Sequence, residues 1–180
     1  MIKKIAFSLI LSLCLLQVSL AQDQSQQADS LLNVIQTTDN DSIRVSTYFG
    51  LAQLNLYTNP QKTVQLCREM ISLCERIEDY DAIANAFTLI YNAQRYYGAS
   101  ADTMYQTIQR LEEHVNTHLD ERYLLNVYWI YGLYYDNIKQ IDKEIEVYIK
   151  ALEIARKYEM GGPTEGALLG NIGNILHGLG

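Results

Sequence analysis

Proline is scarce in this 180-residue chain, which has 2 Pro, and aromatic residues other than tyrosine are rare as well, with 3 Phe and 1 Trp. Because proline interrupts helices, a chain with so few of them can form long helices without breaks. No segment alternates apolar and polar residues with the period of two that marks a half-buried strand. The sequence therefore predicts an all-α protein.

Basic residues are outnumbered by acidic ones. The 14 Lys and Arg face 21 Asp and Glu, which gives a net charge of −7. A negative surface repels nucleic-acid phosphates, so we expect no nucleic-acid binding in this segment. Beyond the N-terminus no stretch reaches the ~18 uninterrupted apolar residues of a membrane span. Membrane attachment would therefore require a transmembrane helix downstream of this sequence.

Cysteine is too sparse for a disulfide framework. Cys67 and Cys74 lie on one predicted helix, where seven residues at a rise of 1.5 Å separate their Cα atoms by ~10 Å. That distance is beyond the reach of a disulfide. We interpret each as a small buried apolar residue. An intermolecular bridge or a redox role is the open alternative, since free thiols are unusual in exported proteins.

The N-terminus has the features of a secretory signal peptide in the usual order. Lys3 and Lys4 give a basic start, an almost wholly apolar stretch follows, and Ser19-Leu20-Ala21 places small residues at the positions that signal peptidase reads. We predict a signal peptide over 1–21, cleavage after Ala21 and an exported, periplasmic protein. The alternatives are a short buried helix of a cytosolic protein and a lipoprotein anchored through Cys14.

Apolar residues that recur three and four positions apart predict a series of helices after the signal peptide. A polar N-terminal segment over 22–41 carries a short helix over 25–36, and helix pairs follow along the rest of the chain. Their predicted places are 42–57 with 60–77, the two sides of residues 98–100, a unit over 119–158 and a further unit that begins near Thr164.

The segment 126–151 has the most informative pattern in the chain. Its apolar and small residues fall at helical spacings on two helices, at Tyr128, Tyr131, Gly132, Tyr135, Ile141, Tyr148 and Ala151. A glycine within such a stripe lets a partner helix approach closely. The pattern resembles a tetratricopeptide repeat, with Glu144 where a small residue is typical. The resemblance implies a right-handed solenoid of antiparallel helix pairs.

A second match lies downstream. Ile172 and Gly173 restate the first-helix half of the pattern, and Gly173 follows Gly132 by 41 residues. Because a typical unit has about 34 residues, we expect the extra residues in a longer loop over 160–164. Gly180 falls where the first helix of a repeat turns into the second. The repeat domain over 42–180 is therefore expected to hold about three and a half repeats and to be truncated within the last.

The resemblance also implies a concave groove lined by the first helices of the repeats. By register, the residues that face it are Asn126, Trp129, Leu133, Asp136, Asn137 and, in the next unit, Asn174. An aromatic anchor among amides suits a bound peptide or loop. None of the six is basic, whereas the known repeat clamp for acidic peptides uses Lys and Arg, so we expect a partner that is not strongly acidic. The alternative is that Trp129 only fills the groove wall.

The sequence shows no catalytic constellation. His114 and His118 lie one turn apart, but the metalloprotease motif His-Glu-x-x-His needs a Glu where Val115 stands, so a solvated helix end is preferred to an adventitious metal site. The run Gly161-Gly162-Pro163 lacks the Lys-Ser/Thr of a phosphate-binding loop. We therefore expect no catalytic residues, no metal and no cofactor, and no enzyme within this chain.

Two functions remain open from the sequence. The first is a scaffold that binds a protein or peptide partner in the groove. The second is an extracytoplasmic sensory input domain, because residues 28–60 resemble the start of repeat-bearing sensory histidine kinases and helix-turn-helix regulators. In such proteins a transmembrane helix and an output domain follow the repeats.

Overall fold

The computed structural model describes residues 25–179, and every regular element in that range is helical. The prediction of an all-α protein is confirmed over this range. The predicted signal peptide lies outside the described residues. The helices are α1 (25–37), α2 (Asp41–Asn55), α3 (Pro60–Ile77), α4 (Tyr80–Tyr96), α5 (Ala101–His118), α6 (Leu124–Asn137), α7 (Ile141–Lys157) and α8 (Gly162–Leu179), with a 3-10 turn at Glu121–Tyr123.

Short polar side chains start four of these helices. Each accepts a hydrogen bond from the backbone N–H three residues later, at 3.1 Å to Asn40, 3.2 Å to Asn59, 3.1 Å to Asp79 and 3.2 Å to Ser100. Such caps satisfy amides that the first turn of a helix leaves without partners. The caps fix where α2, α3, α4 and α5 begin and keep the connecting segments short.

Each helix from α2 onward packs against the next one along the chain, and α2 also contacts α4. The buried apolar residues form three successive clusters. The first joins α2, α3 and α4, the second joins α4, α5, α6 and α7, and the third joins α7 to α8. Stability is therefore distributed along the series of helices and is not centred on one core.

Equivalent positions recur at a nearly constant spacing in the three helix pairs α2–α3, α4–α5 and α6–α7, here called units one, two and three. In the first helices the spacing is 41 residues and continues into α8, since the buried positions are Val45, Ala86, Val127 and Leu168. In the second helices the corresponding buried positions are Thr63, Met104 and Glu144. This correspondence allows side chains to be compared between units.

The extra residues of each unit do not lie in the loop where they were expected. Only residues 158–161 connect α7 to α8, and Pro163 belongs to the first turn of α8. The helices themselves are long, with 18 residues each in α3, α5 and α8. The expectation of a longer loop over 160–164 was wrong because proline in the first turn of a helix looks like a turn signal in the sequence.

Both described cysteines are buried and free on α3. Burial raises the pKa of the Cys67 thiol to about 12. Burial, with the nearby Asp79 and Glu75, raises the pKa of the Cys74 thiol to about 11. Both thiols are therefore protonated and poorly nucleophilic at neutral pH. Across residues 25–179, no helix combines the length and the apolar character that crossing a membrane requires.

Candidate partner-binding cleft

A cleft of about 490 Å³ opens between α6, α7 and α8. Helix α7 forms its floor, and α6 and α8 form its two walls. The lining residues are Trp129, Leu133 and Asp136 of α6, Lys139 of the following turn, Ile141, Glu144 and Tyr148 of α7, and Asn171, Asn174, Ile175, Gly178 and Leu179 of α8. Aromatic, acidic and amide side chains thus converge in one concave site.

Four of the residues predicted to face a groove line this cleft. They are Trp129, Leu133, Asp136 and Asn174. The first three lie on α6 at spacings of four and three residues, so one face of the helix presents them together. Asn174 lies on the opposite wall and is exposed.

The other two predicted groove residues lie elsewhere. Asn126 is half-buried, and its Nδ2 donates a 3.0 Å hydrogen bond to Oγ1 of Thr88, which ties α6 to α4. Asn126 also lines a separate cavity of about 330 Å³. Asn137 is exposed at the last residue of α6 and is not part of the cleft lining. The bond to Thr88 joins residues 38 positions apart, so helical register alone could not reveal it.

Trp129 both packs in the wall and faces the cleft. Its ring meets the ring of Tyr148 edge-on, with centroids 6.0 Å apart and an interplanar angle of 72°. It also belongs to the apolar cluster that contains Ile172 and Ile175 of α8. The side chain remains only partly buried. The indole thus contributes to the packing of the wall and leaves part of its surface open to the cleft.

The floor of the cleft depends on a close approach at Gly132. A Cβ atom at this position would overlap the Tyr148 ring. Tyr148 is 2% exposed, and burial raises the pKa of its hydroxyl to about 12. The glycine therefore leaves the space that a neutral, buried tyrosine of α7 occupies.

The remaining repeat-pattern residues lie around this contact. Tyr131 and Tyr135 stack on each other beside a further cavity of about 280 Å³, away from the cleft. The Tyr131 hydroxyl donates a 2.8 Å bond to Oε2 of Glu112, and burial together with this bond raises its pKa. Tyr128 is half-buried, Ala151 is buried and Ile172 packs on the α7 cluster.

Gly173 differs from its equivalent Gly132. It is exposed on α8, and nothing lies within 4 Å of where its Cβ would be. The close helix approach that the pattern predicts at Gly132 is present, and the described structure shows no counterpart at Gly173.

Glu144 is a cleft residue that the groove register missed. It is 8% exposed, and its carboxylate has no hydrogen bond or ion pair with any of residues 25–179. Burial, followed by the charge of Asp136, raises its pKa, and Lys139 opposes this effect. The signal in the sequence was the replacement of a typical small residue by an acid.

Replacing Glu144 by Gln is expected to stabilise the protein at neutral pH. Because the folded-state pKa of Glu144 is raised, the native state binds more protons than the unfolded state between the two pKa values. The destabilising effect of the ionised Glu144 carboxylate is absent below its unfolded-state pKa. It grows as pH rises through its folded-state pKa. Thermal unfolding of Glu144→Gln should therefore show a higher Tm at pH 7 and no gain in acid.

The matched control for this substitution is Glu146→Gln on the same helix. Glu146 is exposed, and its hydrogen bond to Lys150 lowers its pKa. The pKa shift of Glu146 has the opposite sign to that of Glu144, so Glu146→Gln should lose a little stability at neutral pH. A Glu144→Gln effect that is independent of pH, or a loss of stability at pH 7, would contradict the assignment of a partly desolvated carboxylate with a raised pKa.

Both histidines of α5 contact Tyr80 of α4. The His118 ring stacks on Tyr80 at 4.3 Å, and Nε2 of His114 lies 2.9 Å from the backbone oxygen of Tyr80. In the described part of the chain, no group of three or more His, Cys, Asp or Glu residues is placed to hold a metal ion.

No protein-family model matches the chain, and a search of curated proteins finds no similar sequence. The class of protein is therefore defined by the fold and the cleft. It is an all-helical protein whose helices pack in adjacent pairs, with an aromatic and acidic cleft at the last three described helices.

Proposed function

We propose that this chain is a tetratricopeptide-like scaffold that binds a peptide or protein partner in the cleft between α6, α7 and α8. The repeat spacing of the buried positions and the packing of successive helices support the scaffold. The observation that carries the binding role is the position of Trp129, a partly exposed indole held by Tyr148 at the wall of a concave site. The signal peptide predicted from residues 1–21 would place this activity outside the cytoplasm.

The chemistry of the cleft suits a peptide. A half-buried tryptophan gives a partner side chain a large apolar surface, the kind of group that dominates binding energy at interfaces. Asn171 and Asn174 line the opposite wall, where amide groups can exchange hydrogen bonds with an extended backbone. Asp136 and Glu144 disfavour an acidic partner by charge repulsion.

Peptide selection on the purified chain tests this proposal. A display library of random linear peptides would be selected on the immobilised protein, and the enriched peptides would then be titrated against the parent chain and two variants. Trp129→Ala removes a central aromatic anchor, which costs ~2 kcal/mol or more at a hot spot, or roughly 30-fold in Kd. Asn174→Ala should weaken binding by a smaller factor and leaves the packing of the cleft intact, because Asn174 is exposed.

The control is Tyr57→Ala, which removes a large aromatic side chain that is 68% exposed and lies far along the chain from the cleft. Circular dichroism would establish that all three variants are folded. Binding that survives both cleft substitutions, or that depends on Tyr57, would refute the proposal.

A further inference from the structure

Glu144 carries a carboxylate that has no partner among the described residues. The residue as a whole is 8% exposed, its side chain lines the cleft, its carboxylate oxygens keep contact with solvent there, and no cation of residues 25–179 pairs with it. Its acidic neighbour Asp136 is bonded at 3.0 Å to Lys139, but these side chains are 60% and 78% exposed, so that pair is weak. The cleft therefore retains negative charge that residues 25–179 do not neutralise.

In units one and two, the residue at the position of Glu144 leaves no polar group without a partner. In unit one, the Oγ1 of Thr63 donates a 2.8 Å hydrogen bond to the backbone oxygen of Ala52. In unit two, the position holds the apolar Met104, which is 3% exposed. Only unit three has an acidic residue there, and its carboxylate has no partner among residues 25–179. The scaffold therefore does not require an acid at this position.

Two further differences are specific to unit three. Trp129 stands where units one and two have Thr47 and Thr88, and Tyr148 stands where unit two has Ile108. Both rings line the cleft next to Glu144. An unpaired carboxylate and a partly exposed indole, held by the buried Tyr148, thus occur together in the one unit where the cleft lies.

These groups together favour a cation. A carboxylate that is partly desolvated and has no partner carries a free-energy cost, and an incoming cation reduces that cost. Aromatic faces attract cations as well, tryptophan most strongly. Among side chains, arginine fits both features because its planar guanidinium stacks on rings while it donates to a carboxylate.

We infer that the cleft holds an arginine side chain of the bound partner, with its guanidinium paired to the Glu144 carboxylate and stacked on the Trp129 ring. This inference rests on the proposed partner-binding function and adds the chemistry that the partner must carry. Lys139 is the competing cation within the chain, and its swing onto Glu144 would exclude an external arginine.

The test compares N-acetyl-argininamide with N-acetyl-citrullinamide, its neutral analogue of nearly the same shape. Trp129 is the single tryptophan of the sequence, so indole fluorescence and the indole N–H signal in NMR report on the cleft alone. The arginine probe is expected to shift this signal in a saturable way. The citrulline probe should bind at least roughly tenfold more weakly, since hydrogen bonds to a charged group are the stronger kind.

Variants separate the proposed pairing from general electrostatic attraction. Glu144→Gln keeps the shape of the side chain and should weaken the arginine probe by about tenfold or more. Glu146→Gln removes the same charge from an exposed position on α7 and should leave binding unchanged. Lys139→Met removes the competing cation and should strengthen binding of the arginine probe. Equal response to the two probes, or an unaffected Glu144→Gln, would overturn the inference.

The two proposals fail in different ways. If selected peptides depend on Trp129 but tolerate replacement of every arginine by citrulline, the binding function holds and the arginine inference is wrong. If no selected peptide depends on Trp129 or Asn174, the proposed function itself is wrong.

Discussion

Replacing Leu168 by alanine is expected to release α8 from α7 while the preceding helices remain folded. Leu168 is fully buried and is the residue of α8 that lies in the core. Truncating a buried leucine costs about 2–5 kcal/mol. Helix α8 also contains five glycines, each of which weakens a helix by up to about 1 kcal/mol relative to alanine. In Leu168→Ala, α8 should therefore no longer pack stably against α7.

Two measurements follow the release of α8. Amide hydrogen exchange should accelerate throughout α8 but not in α3, and Trp129 fluorescence should move toward that of an exposed indole because Ile172 and Ile175 leave its side. The control is Leu169→Ala, the same change at a neighbouring position that is 47% exposed, which should shift stability by less than about 0.5 kcal/mol. Equal acceleration of exchange in α3 and α8 would contradict the local release.

Replacing Gly132 by alanine is expected to destabilise the protein by about 1–3 kcal/mol, the usual cost of overpacking a core. The added methyl group would overlap the Tyr148 ring, which is buried against Trp129 and has little room to move. Denaturant unfolding measures the change. The control is Gly50→Ala at the equivalent position of α2, where nothing lies within 4 Å. There the helix propensity of alanine should stabilise by about 0.5–1 kcal/mol.

A double-mutant cycle assigns the cost at Gly132 to a single contact. In unit two the first helix carries the tyrosine and the second helix the smaller residue. Tyr91 stands at the position of Gly132, and Ile108 stands at the position of Tyr148. Tyr148→Ile should therefore make room for Gly132→Ala, so that the double variant is more stable than the sum of the two single changes predicts. Strict additivity would show that the Tyr148 ring is not what excludes a methyl group.

Much of the fold follows from local sequence patterns. Apolar residues spaced three and four apart place the helices, and the polar residues Asn40, Asn59, Asp79 and Ser100 act as caps where the pattern indicated breaks. These features depend on neighbours within one helical turn, so they can be interpreted from the chain itself. The close approach of the helices at Gly132 could be predicted for the same reason.

The residues that line the cleft could be predicted only in part from the sequence. Helical register places Trp129, Leu133 and Asp136 on one face of α6, but it does not show that Glu144 of α7 and Asn171 of α8 converge with them. That convergence depends on how three helices pack. The sequence did mark Glu144 as unusual at its position, and the structure places it at the cleft without a cation partner among residues 25–179.

Glu144 also connects stability with the proposed function. A methionine, the residue of unit two, would remove the charge and with it the cost of desolvating that charge. The chain keeps the acid at a position where the scaffold does not need it. Such a cost is common at binding sites, where a residue is kept for its ligand and not for the fold.

The most direct test of this account is an NMR measurement of nuclear Overhauser effects between the Trp129 indole and a bound peptide from the display selection. We expect contacts between the indole ring protons of Trp129 and the side-chain methylene protons of a peptide arginine. These contacts should be lost in Glu144→Gln. Peptide contacts confined to residues of α2 to α5, with none to Trp129, would contradict it.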